Sequence, residues 1–115
     1  MKQFMLIKDI DCLSNIHEAI ERIDLYSKPL DSAEALYNDS KSFDAILMNF
    51  VIIGEMVAKL SDLFKNDNTE IEWWKIKGLR NIVAHDYFGV DAEEVWQIIQ
   101  TKIPELKLFI EEKIK

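Results

Sequence analysis

A chain of 115 residues that is 49% hydrophobic, with only three glycines and two prolines, has the composition of a globular protein, so we expect one domain over residues 1–115 and exclude a disordered chain. The formal net charge of −7 counts against general nucleic-acid binding, although a local basic cleft or a basic protein partner stays compatible with it. The lone cysteine, Cys12, excludes an intrachain disulfide framework and fits a reducing cytoplasm.

We expect no export signal at the start of the chain. Lys8, Asp9 and Asp11 interrupt any apolar run there, and no stretch approaches the roughly 20 apolar residues that span a bilayer. We therefore expect a cytoplasmic protein that makes no membrane contact. Few β-branched runs and few turn residues favour an all-α fold.

The first helix is predicted over residues 3–27. Its core stripe recurs at spacings of three and four: Leu6, Ile10, Leu13, Ile16, Ile20 and Ile23. We expect Asp9 to face solvent, Cys12 to pack in or beside the core, and His17 to lie at the boundary. Pro29 ends this segment because the residue before a proline disfavours helix.

A short helix is predicted over residues 32–38, capped by Asp31 or Ser32, and a long one over about 41–65. The main stripe of the long helix is Ile46, Phe50, Ile53, Val57, Leu60 and Phe64, and a second strip is Leu47, Met48, Val51 and Ile52. A helix that is apolar over so much of its circumference is either central or shared with a partner.

Two residues of the long helix lead to separate predictions. Gly54 costs helix stability, and it permits the close approach of another helix. Glu55 either pairs with Arg80, as an otherwise buried carboxylate would require, or points to water. The sequence leaves both alternatives open for Glu55.

The third helix is predicted over residues 72–86, capped by Asn68 or Thr69. Trp73 and Trp74 are expected to anchor it in the core, and base stacking is the alternative.

A fourth helix begins after Asp91, with Glu94 as its capping-box partner, and Pro104 either kinks it or starts a further helix. The result is an antiparallel bundle of four main helices.

Polar side chains gather at the end of the third helix. Helical spacing puts Asn81 and His85 on one face and Arg80 and Tyr87 on a neighbouring one, and Gly89 is expected to end the helix in a left-handed conformation. Arginine binds phosphate oxygens and histidine transfers protons near neutral pH, a pair suited to RNA cleavage. Spacing alone still favours a structural salt bridge and a cation at the helix end.

The run from Trp73 to Trp96 resembles HepT-like toxins of the HEPN superfamily of helical ribonucleases. The match comprises Trp73-Trp74-Lys75-Ile76-Lys77-Gly78-Leu79-Arg80-Asn81, the Arg-x4-His-x-Tyr motif that ends at Tyr87, and the continuation His85-Asp86-Tyr87-Phe88-Gly89-Val90-Asp91. Ile53-Gly54-Glu55 is similar to a second family motif. The resemblance implies an all-α, HEPN-like antiparallel bundle of four to five helices that forms a homodimer with two Arg–His sets at a shared cleft.

The resemblance also implies a function. The implied function is that of a metal-independent endoribonuclease toxin that needs no cofactor. Its catalytic residues would be Arg80, His85 and Asn81, with Glu55 and Asp86 as possible supports. Its RNA products are expected to end in a 2′,3′-cyclic phosphate. The implied partner is a cognate minimal nucleotidyltransferase antitoxin, which inactivates the toxin by adding AMP to Tyr87. The alternative is a non-catalytic nucleotide- or substrate-binding subunit of a two-component nucleotidyltransferase, and the low basicity favours it.

Overall fold

The computed structural model describes residues 5–85 and 87–115, so the predicted helix start at residue 3 and the proposed support by Asp86 lie outside the described residues. The described residues form eight α-helices and one 3₁₀ turn, without a strand: α1 Ile7–Ser27, α2 Ala33–Asn38, α3 Ser40–Lys59, α4 Asp62–Asp67, α5 Trp73–Lys77, α6 Leu79–His85, the 3₁₀ turn Tyr87–Gly89, α7 Ala92–Gln100 and α8 Lys102–Ile114. Every α-helix contributes to one buried apolar cluster. The predicted all-α bundle is confirmed.

Contacts of α1 fix its direction against its neighbours. Its early residue Asp9 meets Ser61, just beyond α3, so α1 and α3 run antiparallel. Its middle residue His17 contacts Glu111 of α8 at 2.8 Å, and its late residue Asp24 accepts a hydrogen bond from Lys107 at 2.9 Å, so α8 is antiparallel to α1 as well. This arrangement agrees with the predicted antiparallel packing.

Asp9 does not face solvent, and that prediction is wrong. It lies four residues before Leu13 on the core stripe, where it is 1% exposed, while the stripe residues Leu6 and Ile10 are exposed. Its carboxylate accepts hydrogen bonds from the Ser61 backbone N–H at 2.7 Å and the Ser61 hydroxyl at 2.6 Å. These charge-assisted bonds compensate for the loss of water around a buried carboxylate.

The predicted helix over 41–65 is two helices. Leu60 has an extended backbone (φ −60°, ψ 143°), and Ser61 then caps α4 by accepting the Phe64 N–H. Asp39 caps α3 in the same way by accepting the Ser42 N–H. The main apolar stripe is nevertheless buried on both sides of the break, as predicted.

The second apolar strip of α3 is only partly covered. Leu47 is buried and Val51 and Ile52 are half-buried, whereas Met48 is 59% exposed. One side of α3 therefore presents apolar surface to the solvent.

Gly54 is the point where α3 touches the segment formed by α5 and α6. A Cβ atom on Gly54 would lie 2.9 Å from the Arg80 Cβ and 2.9 Å from the Lys77 carbonyl oxygen. No side chain larger than hydrogen fits there without displacing backbone, which confirms the predicted close approach.

Trp73 anchors α5 in the core, as predicted. Its ring packs against Phe64 and Phe109 with centroid distances of 5.8 and 5.6 Å, and its indole N–H donates to the Asn68 carbonyl at 2.9 Å. The predicted cap by Asn68 or Thr69 is wrong, because Asn68 ends α4 and Glu72 precedes α5 without a side-chain cap bond.

The C-terminal helices follow the prediction closely. Asp91 caps α7 by accepting the Glu93 N–H at 2.9 Å. The break comes at Thr101, so Pro104 stands in the first turn of α8, where its missing N–H costs no helical hydrogen bond. Within residues 5–85 and 87–115, no helix is both long and apolar enough to span a membrane.

Candidate active site

Asn81 and His85 lie together on the exposed side of α6. They line a shallow hollow of about 350 Å³ whose other wall includes Asp91 and Glu94 at the start of α7, with Gly78 at one end. The predicted shared face of Asn81 and His85 is therefore present, and it opens onto a space that a ligand could enter.

The imidazole of His85 has no hydrogen-bond partner in the part of the chain that the structure describes. The residue is exposed at the last position of α6. Both ring nitrogens can therefore meet a bound substrate.

Arg80 faces α3 and does not line the hollow. Its Nη1 lies 3.1 Å from Glu55 Oε1, so of the two alternatives left open for Glu55 the structure shows the pair with Arg80. Glu55 is nevertheless not buried, since the Arg80 and Glu55 side chains are 32% and 49% exposed. An ion pair this exposed contributes little stability, about 0.2–1 kcal/mol. Its main effect is to orient the guanidinium while leaving other N–H groups free for a second acceptor.

Tyr87 does not continue the helix of Arg80, since α6 ends at His85 and Tyr87 starts the 3₁₀ turn. Its hydroxyl donates to Asp44 Oδ1 at 2.6 Å. This hydrogen bond raises the pKa of Tyr87 above its usual value, because only the neutral phenol can donate to the Asp44 carboxylate.

The contact with Asp44 was not predicted from the sequence. The available signal was spacing: Asp44 and Glu55 are about three helical turns apart, which puts them on the same side of α3. Arg80 and Tyr87 therefore contact the same side of α3. Arg80 pairs with Glu55, and Tyr87 donates to Asp44.

The 3₁₀ turn replaces the predicted glycine cap. Gly89 does not adopt a left-handed conformation, and no other glycine among the described residues has a positive φ. The prediction is wrong because the chain leaves α6 at His85 and tightens into the turn before it reaches Gly89. As a result Phe88 is 97% exposed beside the ring of Tyr87.

Metal-binding side chains do not cluster in the described residues. No group of three His, Cys, Asp or Glu residues in 5–85 and 87–115 has the arrangement of a metal site. The hollow is lined by the imidazole of His85, the amide of Asn81 and the carboxylates of Asp91 and Glu94, and the guanidinium of Arg80 lies on the side of α6 that faces α3.

Known proteins that are similar to this chain show its family. The family model described as "Ribonuclease HepT-like" matches residues 16–113. A protein of Thermococcus cleftensis named "Probable ribonuclease HepT" is 34% identical over 97 residues, which cover 84% of this chain and 87% of that protein. No solved structure matches the chain significantly.

Two further relatives are named provisionally as RNases. One, from Methanocaldococcus jannaschii, is 30% identical over 101 residues, with 88% of each chain covered. Another, from Caldanaerobacter subterraneus, is 33% identical over 81 residues, which cover 70% of this chain and 72% of the relative. The chain therefore belongs to the HepT-like ribonuclease family.

Proposed function

We propose that this protein is a metal-independent endoribonuclease toxin that acts in the cytoplasm. The observation that carries the proposal is the open hollow at the end of α6, where His85 has an unengaged imidazole beside Asn81. Family membership supports RNA as the substrate. Arg80, which directly precedes Asn81 on α6, supplies the positive charge that a phosphodiester requires.

In the proposed reaction the 2′-OH of the RNA attacks the adjacent phosphorus. A new P–O bond forms, the bond to the 5′-oxygen of the next nucleotide breaks, and the product ends in a 2′,3′-cyclic phosphate. His85 acts as the general acid or base for one of the two oxygens, Arg80 stabilises the charge on the phosphoryl oxygens, and Asn81 positions the phosphate. Glu55 supports the reaction by holding the guanidinium of Arg80.

A homodimer belongs to the same proposal. The exposed Met48 and the half-buried Val51 and Ile52 give α3 an apolar side that a second protomer would cover. In a two-fold dimer each residue at the interface occurs twice, so two sets of Arg80 and His85 would line one groove. This would bring together groups that point to different sides of α6 within one protomer.

We further propose that a minimal nucleotidyltransferase antitoxin regulates the toxin by AMP transfer to Tyr87. The Tyr87 oxygen would attack the α-phosphorus of ATP, and pyrophosphate would leave. The phenol proton would pass to Asp44, which already accepts a hydrogen bond from the Tyr87 hydroxyl at 2.6 Å. Tyr87 is 44% exposed and so open to a partner enzyme. The added phosphate would place negative charge near Arg80 and repel RNA.

Purified, unmodified protein is expected to cleave single-stranded RNA in the presence of EDTA. None of the three proposed catalytic side chains needs a metal to perform its step. The measurement is product analysis on a denaturing gel, with enzymatic or mass-spectrometric detection of cyclic phosphate ends. Cleavage that requires an added divalent cation, or ends without cyclic phosphate, would contradict the proposed mechanism.

Incubation with the cognate nucleotidyltransferase and ATP is expected to add the mass of one or more AMP groups and to suppress cleavage. Tyr87→Phe should gain no mass, because the attacking oxygen is missing. Tyr37→Phe, which removes another exposed tyrosine hydroxyl, is the matched control and should gain the same mass as wild type. AMP on the Tyr87→Phe variant would show that the acceptor lies elsewhere.

One observation favours the second candidate, a non-catalytic nucleotide- or substrate-binding subunit. Within a protomer Arg80 is paired with Glu55 and does not line the hollow of His85. The net charge of −7 also favours the second candidate. Tight binding of ATP or of the nucleotidyltransferase by a dimer that leaves RNA intact in EDTA and in Mg²⁺ would establish the second candidate.

A further inference from the structure

The two adjacent tryptophans of α5 have opposite environments. Trp73 is 7% exposed and fixed by its hydrogen bond to Asn68, whereas Trp74 is 70% exposed. The prediction that both tryptophans anchor the helix in the core is thus confirmed for Trp73 and wrong for Trp74. An indole left in water contributes almost nothing to the core, and its flat apolar surface remains available to a ligand.

Helical spacing through Gly78 would put Trp74 on the same face as the candidate active site. Gly78 stays in the right-handed helical region (φ −64°, ψ −13°), and its N–H donates to the Trp74 carbonyl at 3.1 Å, so a helical hydrogen bond links α5 to the start of α6. At about 100° per residue, Trp74, Asn81 and His85 then fall within roughly 40° of one another. A rise of about 1.5 Å per residue puts Trp74 roughly 10 Å from Asn81 along this face.

The surroundings of Trp74 are basic although the chain is acidic. Lys65 and Lys77 line the adjoining cavity of about 480 Å³, and the Lys75 Nζ lies 5.3 Å from the centre of the Trp74 ring. Two carboxylates also line the cavity, and each lies within 4.0 Å of a lysine. Asp62 is 4.0 Å from Lys65, and Glu72 is 3.3 Å from Lys75 and 4.0 Å from Lys102. Lys77 pairs with no carboxylate in the described part of the chain.

We propose that Trp74 and Lys77 form an accessory subsite for single-stranded RNA. A base a few nucleotides from the scissile phosphate stacks on the Trp74 indole, and Lys77 contacts the backbone between that base and the hollow of His85. Stacking on an aromatic ring tolerates any base, so the subsite increases affinity without selecting a sequence. The proposal rests on the proposed ribonuclease function, because it concerns how the same face holds its substrate.

Binding is tested without cleavage by placing the variants in a His85→Ala background. The probe is a fluorescently labelled, single-stranded oligoribonucleotide, and the readout is its anisotropy as a function of protein concentration. Trp74→Ala is expected to raise the Kd about tenfold, since one stacked base is typically worth about that factor. Trp74→Phe should stay within about threefold of the parent, because a smaller ring still stacks.

Leu108→Ala is the matched control. Leu108 is 67% exposed, close to the value for Trp74, and it lies on α8. In the active protein, Trp74→Ala should raise KM for a long oligonucleotide and leave kcat unchanged, while a dinucleotide that cannot reach Trp74 should be cleaved as by wild type.

Several results would overturn the subsite. One is a Kd for Trp74→Ala equal to that of Leu108→Ala, and another is an equal loss of affinity in Trp74→Phe and Trp74→Ala. A change in the dimer mass of Trp74→Ala, with unchanged RNA affinity, would identify a protein interface instead. If RNA binding depends on Trp74 but the protein cuts no RNA, the proposed subsite is supported and the proposed nuclease function is contradicted.

Discussion

Replacing His85 with alanine is expected to reduce RNA cleavage by about 10²- to 10⁴-fold, the usual contribution of a general acid or base. The side chain lies on the surface and bonds to nothing in the described residues, so its removal should leave the fold intact. The measurement is the initial rate of cleavage of a labelled RNA in EDTA, together with a thermal melt of each protein. The melting temperature should not change.

His17→Ala is the control for this variant, since it removes the other histidine. His17 lies on α1 between Glu21 and Glu111, at 3.2 and 2.8 Å, and it has no part in the hollow of His85. Cleavage by His17→Ala should equal that of wild type. If His85→Ala cleaves at the wild-type rate, His85 is not the proton-transfer group and the proposed mechanism fails.

Gly54→Ala is expected to lower the free energy of unfolding by about 2 kcal/mol, within the range for an overpacked core. Alanine gains about 1 kcal/mol of helix propensity over glycine. That gain is outweighed because the new Cβ would stand 2.9 Å from the Lys77 carbonyl and 2.9 Å from the Arg80 Cβ, neither of which is the end of a flexible side chain. The measurement is urea denaturation followed by circular dichroism.

Gly78→Ala is the matched substitution. A Cβ at Gly78 would meet its nearest atom, the Lys75 carbonyl oxygen, at 3.2 Å, and the backbone there is already helical. Its free energy of unfolding should stay within about 1 kcal/mol of wild type, because mild crowding opposes the gain in propensity. Cleavage by Gly54→Ala should also fall, since α5 and α6 must move away from α3 and carry Arg80 with them. Equal stability of both variants would contradict the close packing at Gly54.

The helices and most of the core could be predicted from periodicity alone. The stripe from Ile46 to Phe64 is buried as expected, even across a break at Leu60 that no proline or glycine marks. Periodicity does not indicate the break. Ser61, the residue directly after it, is bound by a residue distant in sequence, since Asp9 accepts hydrogen bonds from the Ser61 backbone N–H and hydroxyl.

The candidate site was only partly predictable for the same reason. Helical spacing sufficed for the shared face of Asn81 and His85, because both belong to one helix. Asp44 was missed because its contact with Tyr87 depends on where α6 ends and how the 3₁₀ turn folds back on α3. For Glu55 the sequence left two alternatives open, and the pair with Arg80 that the structure shows was suggested only by the position of a carboxylate on an apolar helix.

The bond between Asp9 and Ser61 also bears on how the molecule folds. A helix of six residues such as α4 is too short to persist by itself in water, and its cap, Ser61, is held by a carboxylate from α1. We therefore expect α4 to become ordered once α1 has docked on α3. Because the ring of Trp73, at the start of α5, packs on Phe64 of α4, we expect the first helix and the segment that leads into the candidate active site to gain and lose structure as one cooperative unit.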